Sequence, residues 1–314
     1  MRTFTFISGF GLGLSIFLLG LKLLASSLES ALGARLRRLL TRLTTTKLRC
    51  VFAGAAATCL VQSSSAVAST MVVLVASGIL TAKQAFGVIL GANIGTTLTA
   101  QIIAFRLENV ALPLIFLGLL LAFAGRRKSL GTALFALGSL LYGLTIITAT
   151  LAPLLQFPHI QNVLKNLSDT PWEACLTGIV LTALIQSSSA VTGVVISLAH
   201  LNAISLSAAV GVALGSNVGT VFTTLIASTG RGRASRATAF ADFIFNLGGV
   251  LLVLPFYGHF LRLVALTSHD LARQIANAHF LFNLLTGIAA LPVLDYFAAL
   301  AWRLAGIKAG KQEV

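Results

Sequence analysis

The sequence predicts an all-α polytopic membrane protein of two inverted-topology repeats, each with a re-entrant helical hairpin carrying a Gln-Ser-Ser-Ser motif. Three observations predict it. The 314 residues are 57% hydrophobic and only 10% charged, with a mean hydropathy of +0.95, which excludes a water-soluble globular surface. Two motifs recur at one offset. Thr58-Cys-Leu-Val-Gln62-Ser63-Ser64-Ser65-Ala66-Val67 returns as Thr182-Ala-Leu-Ile-Gln186-Ser187-Ser188-Ser189-Ala190-Val191, and Gly91-Ala-Asn93-Ile-Gly95-Thr96-Thr97 returns as Gly215-Ser-Asn217-Val-Gly219-Thr220-Val221, both 124 residues later. Such repeats mark internal duplication in transporter-like folds. The third observation is charge: the cations sit between apolar segments, in the clusters Arg35 to Arg49, Arg126 to Lys128 and Arg231 to Arg236.

Taken in order, the first span is expected near residues 4–26. Arg2, the apolar run and the small residues from Ala25 to Ser27 also fit a cleaved signal peptide, but Phe4 to Leu24 is long enough to cross a bilayer. Lys22 is expected to snorkel from a helix end. Over 28–49, Leu28, Leu32, Leu36, Leu39 and Leu43 recur every three or four residues among arginines, which predicts an amphipathic helix on the cytoplasmic surface; a plain basic connector is the competing reading. Further spans are expected near 85–105, 109–124, 130–153, 205–228, 237–257 and 274–294. The segments 50–80 and 174–200 differ in kind. Twelve helical residues before Gln62 reach only about 18 Å, roughly half a bilayer, so a short helix, a polar break and a second short helix predict a re-entrant hairpin.

Parity of charge supports that choice. If both hairpins enter and leave on one side, all three basic clusters fall on one face; if 50–80 crossed, Arg126 to Lys128 would move to the opposite face, against the positive-inside bias. The segment 35–49 before the first hairpin carries six cations and no acid, whereas the equivalent segment 156–173 sets Lys165 against Asp169 and Glu173. The two halves are therefore expected to be inverted. The predicted units are a first repeat over 1–125, a second over 126–262, and a C-terminal helix and tail over 263–314. The N-terminus is predicted outside and the C-terminus in the cytoplasm, as a multi-pass protein of the cell's inner (plasma) membrane.

A helix broken within hydrocarbon is tolerated only where it is buried in protein or lines a polar cavity. At each break, the carbonyl end of one half-helix and the N–H end of the next, with capping serine hydroxyls, point to the same place. The N–H groups and hydroxyls suit an oxyanion, and the carbonyl, amide and hydroxyl oxygens suit a small hard cation such as sodium. Candidate binding residues are Gln62, Ser63, Ser64, Ser65, Gln186, Ser187, Ser188 and Ser189. Thr58 and Thr182, four residues before each glutamine, are expected on the same helical face, with packing as the alternative. Asn93, Thr96, Thr97, Asn217 and Thr220 join the candidates; for the asparagines, interhelical hydrogen bonding competes, and the Gly91–Gly95 and Gly215–Gly219 spacings also fit close helix packing. A further recurrence, Asp242-Phe-Ile-Phe-Asn246 and His279-Phe-Leu-Phe-Asn283, sets an ionisable residue and an asparagine on one face. A functional role and an interfacial ion pair with Arg236 stand level for Asp242, and His279 is placed near the opposite interface.

The net charge of +14 does not point to nucleic acid, because the cations belong to loops. Cys50, Cys59 and Cys175 have neither CxxC spacing nor histidine partners, so neither a disulfide framework nor a zinc site follows. Histidines without metal spacing, no carboxylate pair in the membrane and no phosphate-binding loop exclude an enzyme or an ATP-driven pump. No cofactor is expected beyond a coupling ion.

The paired Gln62-Ser-Ser-Ser65 and Gln186-Ser-Ser-Ser189 motifs, the Gly91 to Thr97 motif with its weaker copy from Gly215, and the Phe-Asn pairs at 245–246 and 282–283 resemble the sodium-dependent phosphate cotransporter family, the type II group with its bacterial relatives. The resemblance covers Gly11 to about Pro292. It implies that the hairpins and neighbouring helices bind inorganic phosphate with sodium, and that the inverted halves alternate access. Sodium is then expected on Gln62, Ser65, Gln186, Ser189, Asn93 and Asn217, with Asn246 and Asn283 in the substrate set. Ser216 and Val221 depart from the motif and leave sodium stoichiometry open. Many bacterial relatives carry a C-terminal cytoplasmic helical domain; regulation through one is not expected here. The partners expected are phosphate, sodium and the bilayer; a homo-oligomer is left open, as are export, another oxyanion, or a non-transporting scaffold. No Lys or Arg falls within 54–79, 87–104, 178–199 or 206–229, so a dianion would meet only neutral donors and dipoles there, and sodium is expected to supply the missing charge.

Overall fold

A computed structural model describes residues 2–124, 128–230 and 232–306. Helix is the only regular structure among them. The first helix, α1, runs Arg2–Leu43 without interruption and contains no proline. This corrects the separate surface helix expected over 28–49: its first part continues α1. The side chains of 32–43, Arg35 to Arg42 among them, lie outside the described residues, as do Arg126, Arg127 and Arg231. A turn at Thr44 to Thr46 ends α1, and the Thr46 hydroxyl, accepting from the Arg49 N–H at 3.3 Å, starts the next helix.

Two helix–break–helix units follow the expected pattern. α2 (Lys47–Val61), α3 (Ser64–Ala76) and α4 (Ala82–Ile103) are matched by α8 (Pro171–Ile185), α9 (Ser188–His200) and α10 (Leu206–Ser228). Each of the three helices in the second unit begins 124 residues after its counterpart. Thr81 caps α4 with a reciprocal bond to Gln84, and Ser205 caps α10 at the equivalent place. Between the units lie α5 (Glu108–Phe123), α6 (Lys128–Leu151) with a 3-10 turn at its end, and α7 (Pro158–Asp169). α7 is a short amphipathic helix that the hydropathy reading passed over. α11 (Arg233–Val253), α12 (Tyr257–Ala265) and α13 (Leu271–Leu304) close the chain.

Six stretches among the described residues are long and apolar enough to cross a membrane: Phe6–Ala31, Ala82–Ile103, Lys128–Gln156, Leu206–Ser228, Arg236–Ala265 and Leu271–Leu304. The span expected near 109–124 falls on α5, whose 16 residues rise about 24 Å. Helices pack in pairs through glycines. α2 lies on α4 and α8 on α10, where a methyl built on Gly91 would overlap the Val51 carbonyl and one on Gly215 the Cys175 carbonyl. α1 lies on α6 at Gly20 and Gly143, and α5 on α6 at Gly118 and Gly131. The small-residue spacing of the Gly-Asn-Gly motifs is thus helix packing. One buried cluster joins Phe17 of α1, Ile103 of α4, Leu140 and Ile147 of α6, Val191 and Ile196 of α9 and Ile275 of α13. On the outside, Phe52, Phe116, Phe123, Leu184, Leu252 and Ile288 are exposed, a surface apolar enough to need a bilayer.

Candidate functional site

Each break is built the same way. Gln62 and Gln186 take the left-handed conformation at φ 57° and 58°, and their N–H groups bond back to the Thr58 and Thr182 carbonyls at 2.7 Å, which ends α2 and α8. Ser63 and Ser187 follow in extended backbone, and their hydroxyls accept from the Ala66 and Ala190 N–H groups at 3.2 Å, starting α3 and α9. A left-handed residue that is neither glycine nor asparagine is uncommon, and here it occurs at the same motif position twice.

Both breaks open on one cavity of about 350 Å³. Gln62, Ser63 and Ser64 line it from the first half, and Gln186, Ser187, Ser188 and Ser189 from the second, with Thr96 and Thr220 beside them. The N-terminal ends of α3 and α9, with their partial positive charge, therefore face shared space. The Ser65 side chain lies outside the described residues. Thr58 and Thr182 do not line the cavity. Both are fully buried under Gly95 and Gly219, with hydroxyls that have no partner, so they pack between helices and do not reach this cavity. Thr97 is also buried away from the cavity, its hydroxyl donating to the Ile94 carbonyl at 2.7 Å.

The two glutamines differ in their partners. Gln62 accepts at Oε1 from the Thr99 hydroxyl at 2.8 Å and donates from Nε2 to the Cys59 carbonyl at 2.6 Å. Thr223 stands 124 residues after Thr99, yet its hydroxyl is buried without a partner, and both Thr223 and Gln186 line the cavity. Lys22 lines it as well. This corrects two expectations: Lys22 is not at a helix end, since α1 continues to Leu43, and the cavity does not lack a cation. Lys22 lies outside all four motif segments and arrives from α1, on the face that also presents Leu18, Leu21 and Ala25. That spacing of three and four residues is the one signal that the sequence offered for it.

A second, smaller cavity of about 10 Å³, room for one water-sized occupant, lies between Asn93, Asn217, Thr224, Asp242 and Asn246. Ser64 and Thr220 line both cavities. Asp242 is buried; Oδ1 accepts from Asn246 at 2.8 Å and Asn93 at 3.3 Å, and Oδ2 from the Thr224 hydroxyl at 3.2 Å. The salt bridges among the described residues join Lys47 and Lys83 to Asp295, so the interfacial pair with Arg236 is replaced by a buried carboxylate with neutral partners. His279 is likewise interior. Its Nε2 lies 2.9 Å from Asn217 Oδ1, which also accepts from Asn283 at 3.2 Å. Each motif asparagine thus meets one Phe-Asn motif: Asn93 bonds to Asp242, which Asn246 also bonds, and Asn217 meets His279 and Asn283. Five of the six residues expected to share sodium are described, and they divide between the cavities: Gln62, Gln186 and Ser189 line the large one, Asn93 and Asn217 the small one.

The Na+/Pi-cotransporter family profile matches residues 16–149 and 151–292. The uncharacterized protein YqeW of Bacillus subtilis (strain 168) is 35% identical over 90% of this chain and 92% of its own length. YjbB of Escherichia coli (strain K12), a protein named for inorganic phosphate export, is 29% identical over 89% of this chain, which spans only 52% of it. A shorter stretch, 31% of this chain and 17% of the relative, is 34% identical to the sodium-dependent phosphate transport protein 2A of Ovis aries. No solved structure is significantly similar. With the match running through both serine breaks and the helices packed on them, the chain belongs to the Na+/Pi-cotransporter family.

Proposed function

We propose that this protein is a secondary transporter coupling sodium to the movement of inorganic phosphate across the plasma membrane, with no enzymatic step. The observation that carries this reading is the pair of adjoining cavities: a large one under two helix N-termini and a serine-rich wall, and a small one holding an acidic side chain, with Ser64 and Thr220 lining both. Helix N-termini and hydroxyls suit the phosphate oxygens. A buried carboxylate surrounded by amides and a hydroxyl, with no basic partner, suits a desolvated monovalent cation, so sodium belongs at Asp242. The two halves act as inverted repeats, 1–125 and 126–262, whose breaks form re-entrant hairpins near the midplane and alternate access between the two sides. α5 then crosses as a thin span, its exposed Phe116 and Phe123 facing lipid, with the N-terminus outside and the basic loops in the cytoplasm.

Export of phosphate is the second reading, favoured by the name of YjbB. Purified protein in liposomes tests both. A sodium gradient should drive labelled phosphate uptake, and reversing the gradient should reverse the flux. Flux of sulfate alone, or flux indifferent to the sodium gradient, overturns the sodium–phosphate reading.

A further inference from the structure

We infer that Lys22 is the charged ligand of the oxyanion in the large cavity, and that the anion is held chiefly on the second-half wall, against Gln186 and Thr223. The inference rests on the phosphate reading above and assigns it a charge partner. Among the described residues lining that cavity, Lys22 is the only ionisable one. It makes no ion pair among the described residues. Its helix leaves it little freedom to avoid the site, because α1 is fixed on α6, where a methyl on Gly20 would meet the Leu140 backbone at 2.6 Å. Within Phe6–Ala31, Lys22 stands nine residues before the end of the span, about 14 Å of helical rise, so an ammonium there faces either hydrocarbon or this cavity. An ionisable group inside a span needs a partner, and an anion between two helix N-termini supplies one.

A separate observation puts the anion on the second half. Gln62 and Thr99 bond to each other, which commits the Thr99 hydroxyl hydrogen, and a bond to the Cys59 carbonyl leaves Gln62 one amide N–H. Their counterparts do not bond to each other: of the described hydroxyls buried without a partner, those of Thr44, Thr58, Thr182, Thr192 and Thr223, only Thr223's belongs to a residue lining this cavity, within a side-chain rotation of it, and Gln186 lines the same wall. A polar hydrogen-bonding group buried without a partner is costly unless a ligand completes it. Two half-helix dipoles contribute about one unit charge, and Lys22 contributes a second, enough to balance a phosphate dianion without sodium. Sodium then tightens binding from its adjoining site but is not obligatory for it.

The test is calorimetric titration of inorganic phosphate into the purified protein, in sodium and in choline buffer. Lys22→Gln should raise the dissociation constant about ten- to a hundredfold in choline and less in sodium, so its sodium dependence steepens. Lys22→Arg should stay within about threefold of wild type, and Thr223→Val should lose about tenfold while Thr99→Val loses little. Unchanged affinity in Lys22→Gln, or equal loss in Lys22→Arg and Lys22→Gln with the helical fold intact by circular dichroism, overturns the inference while phosphate binding by the wild type still stands. Absence of phosphate binding in the wild type overturns both readings together.

Discussion

Asp242 and the serines at the breaks carry the residue-scale expectations. Asp242→Asn keeps the size of the side chain but removes its charge and sets an amide donor among the donors Asn93, Asn246 and Thr224. We expect phosphate flux to lose its dependence on the sodium gradient, with a stability loss of about 1–3 kcal/mol; flux at stepped sodium concentrations reads the first and thermal unfolding the second. Ser64→Ala and Ser188→Ala should each impair transport at a stability cost of only about 0.5–1.5 kcal/mol. Ser64 lines both cavities, so its loss should weaken sodium and phosphate binding together, whereas Ser188, which lines only the large one, should affect phosphate alone. Wild-type affinities for both ligands in Ser64→Ala would remove that serine from the site.

Among the elements, the two half-helix pairs depend on how closely α2 approaches α4 and α8 approaches α10. Gly91 and Gly215 face carbonyl oxygens of the facing helix with no space for a methyl, so alanine at either must push the helices apart. A loss of about 1–3 kcal/mol is expected, read as a lower unfolding temperature. Gly248 in α11, where nothing stands within 4 Å of a built methyl, is the control and should tolerate alanine without loss. At the ends of α2 and α4, Lys47 and Lys83 converge on Asp295 of α13 at 2.9 and 2.7 Å. That network is exposed, and Asp295→Ala should cost no more than about 1 kcal/mol.

For the whole molecule, two cavities that share Ser64 and Thr220 make the affinities for sodium and phosphate interdependent. Bound sodium at Asp242 lowers the cost of the anion and the anion lowers the cost of sodium, by the same factor. We expect a positive coupling toward the low end of about 1–3 kcal/mol, because Lys22 already offsets part of the anion's charge. Titrations of each ligand at fixed concentrations of the other measure the factor twice. Equal affinity for phosphate in sodium and choline would place sodium outside the cycle.

Composition and motif spacing determined the helical membrane class, the duplication and the positions of both breaks, since hydrophobicity, helix capping and a repeated offset are local properties of a chain. The places where the helices end and restart, at 62–63 and 186–187, are legible in four consecutive residues, but the left-handed conformation of both glutamines is not, since a glutamine rarely adopts it. Tertiary structure alone decided which polar groups face one another. Lys22 reaches the cavity from a helix carrying none of the motifs; Asn93 finds Asp242 across 149 positions of chain; Thr58 and Thr182 turn to packing because a glycine helix covers them. Sequence spacing also could not separate Gln62 from Gln186, which hold the same motif position but differ in partner, since that difference arises only where α4 and α10 pack against the two breaks. Hydrogen-bond pairing and charge proximity act through space, and helix packing fixes those distances.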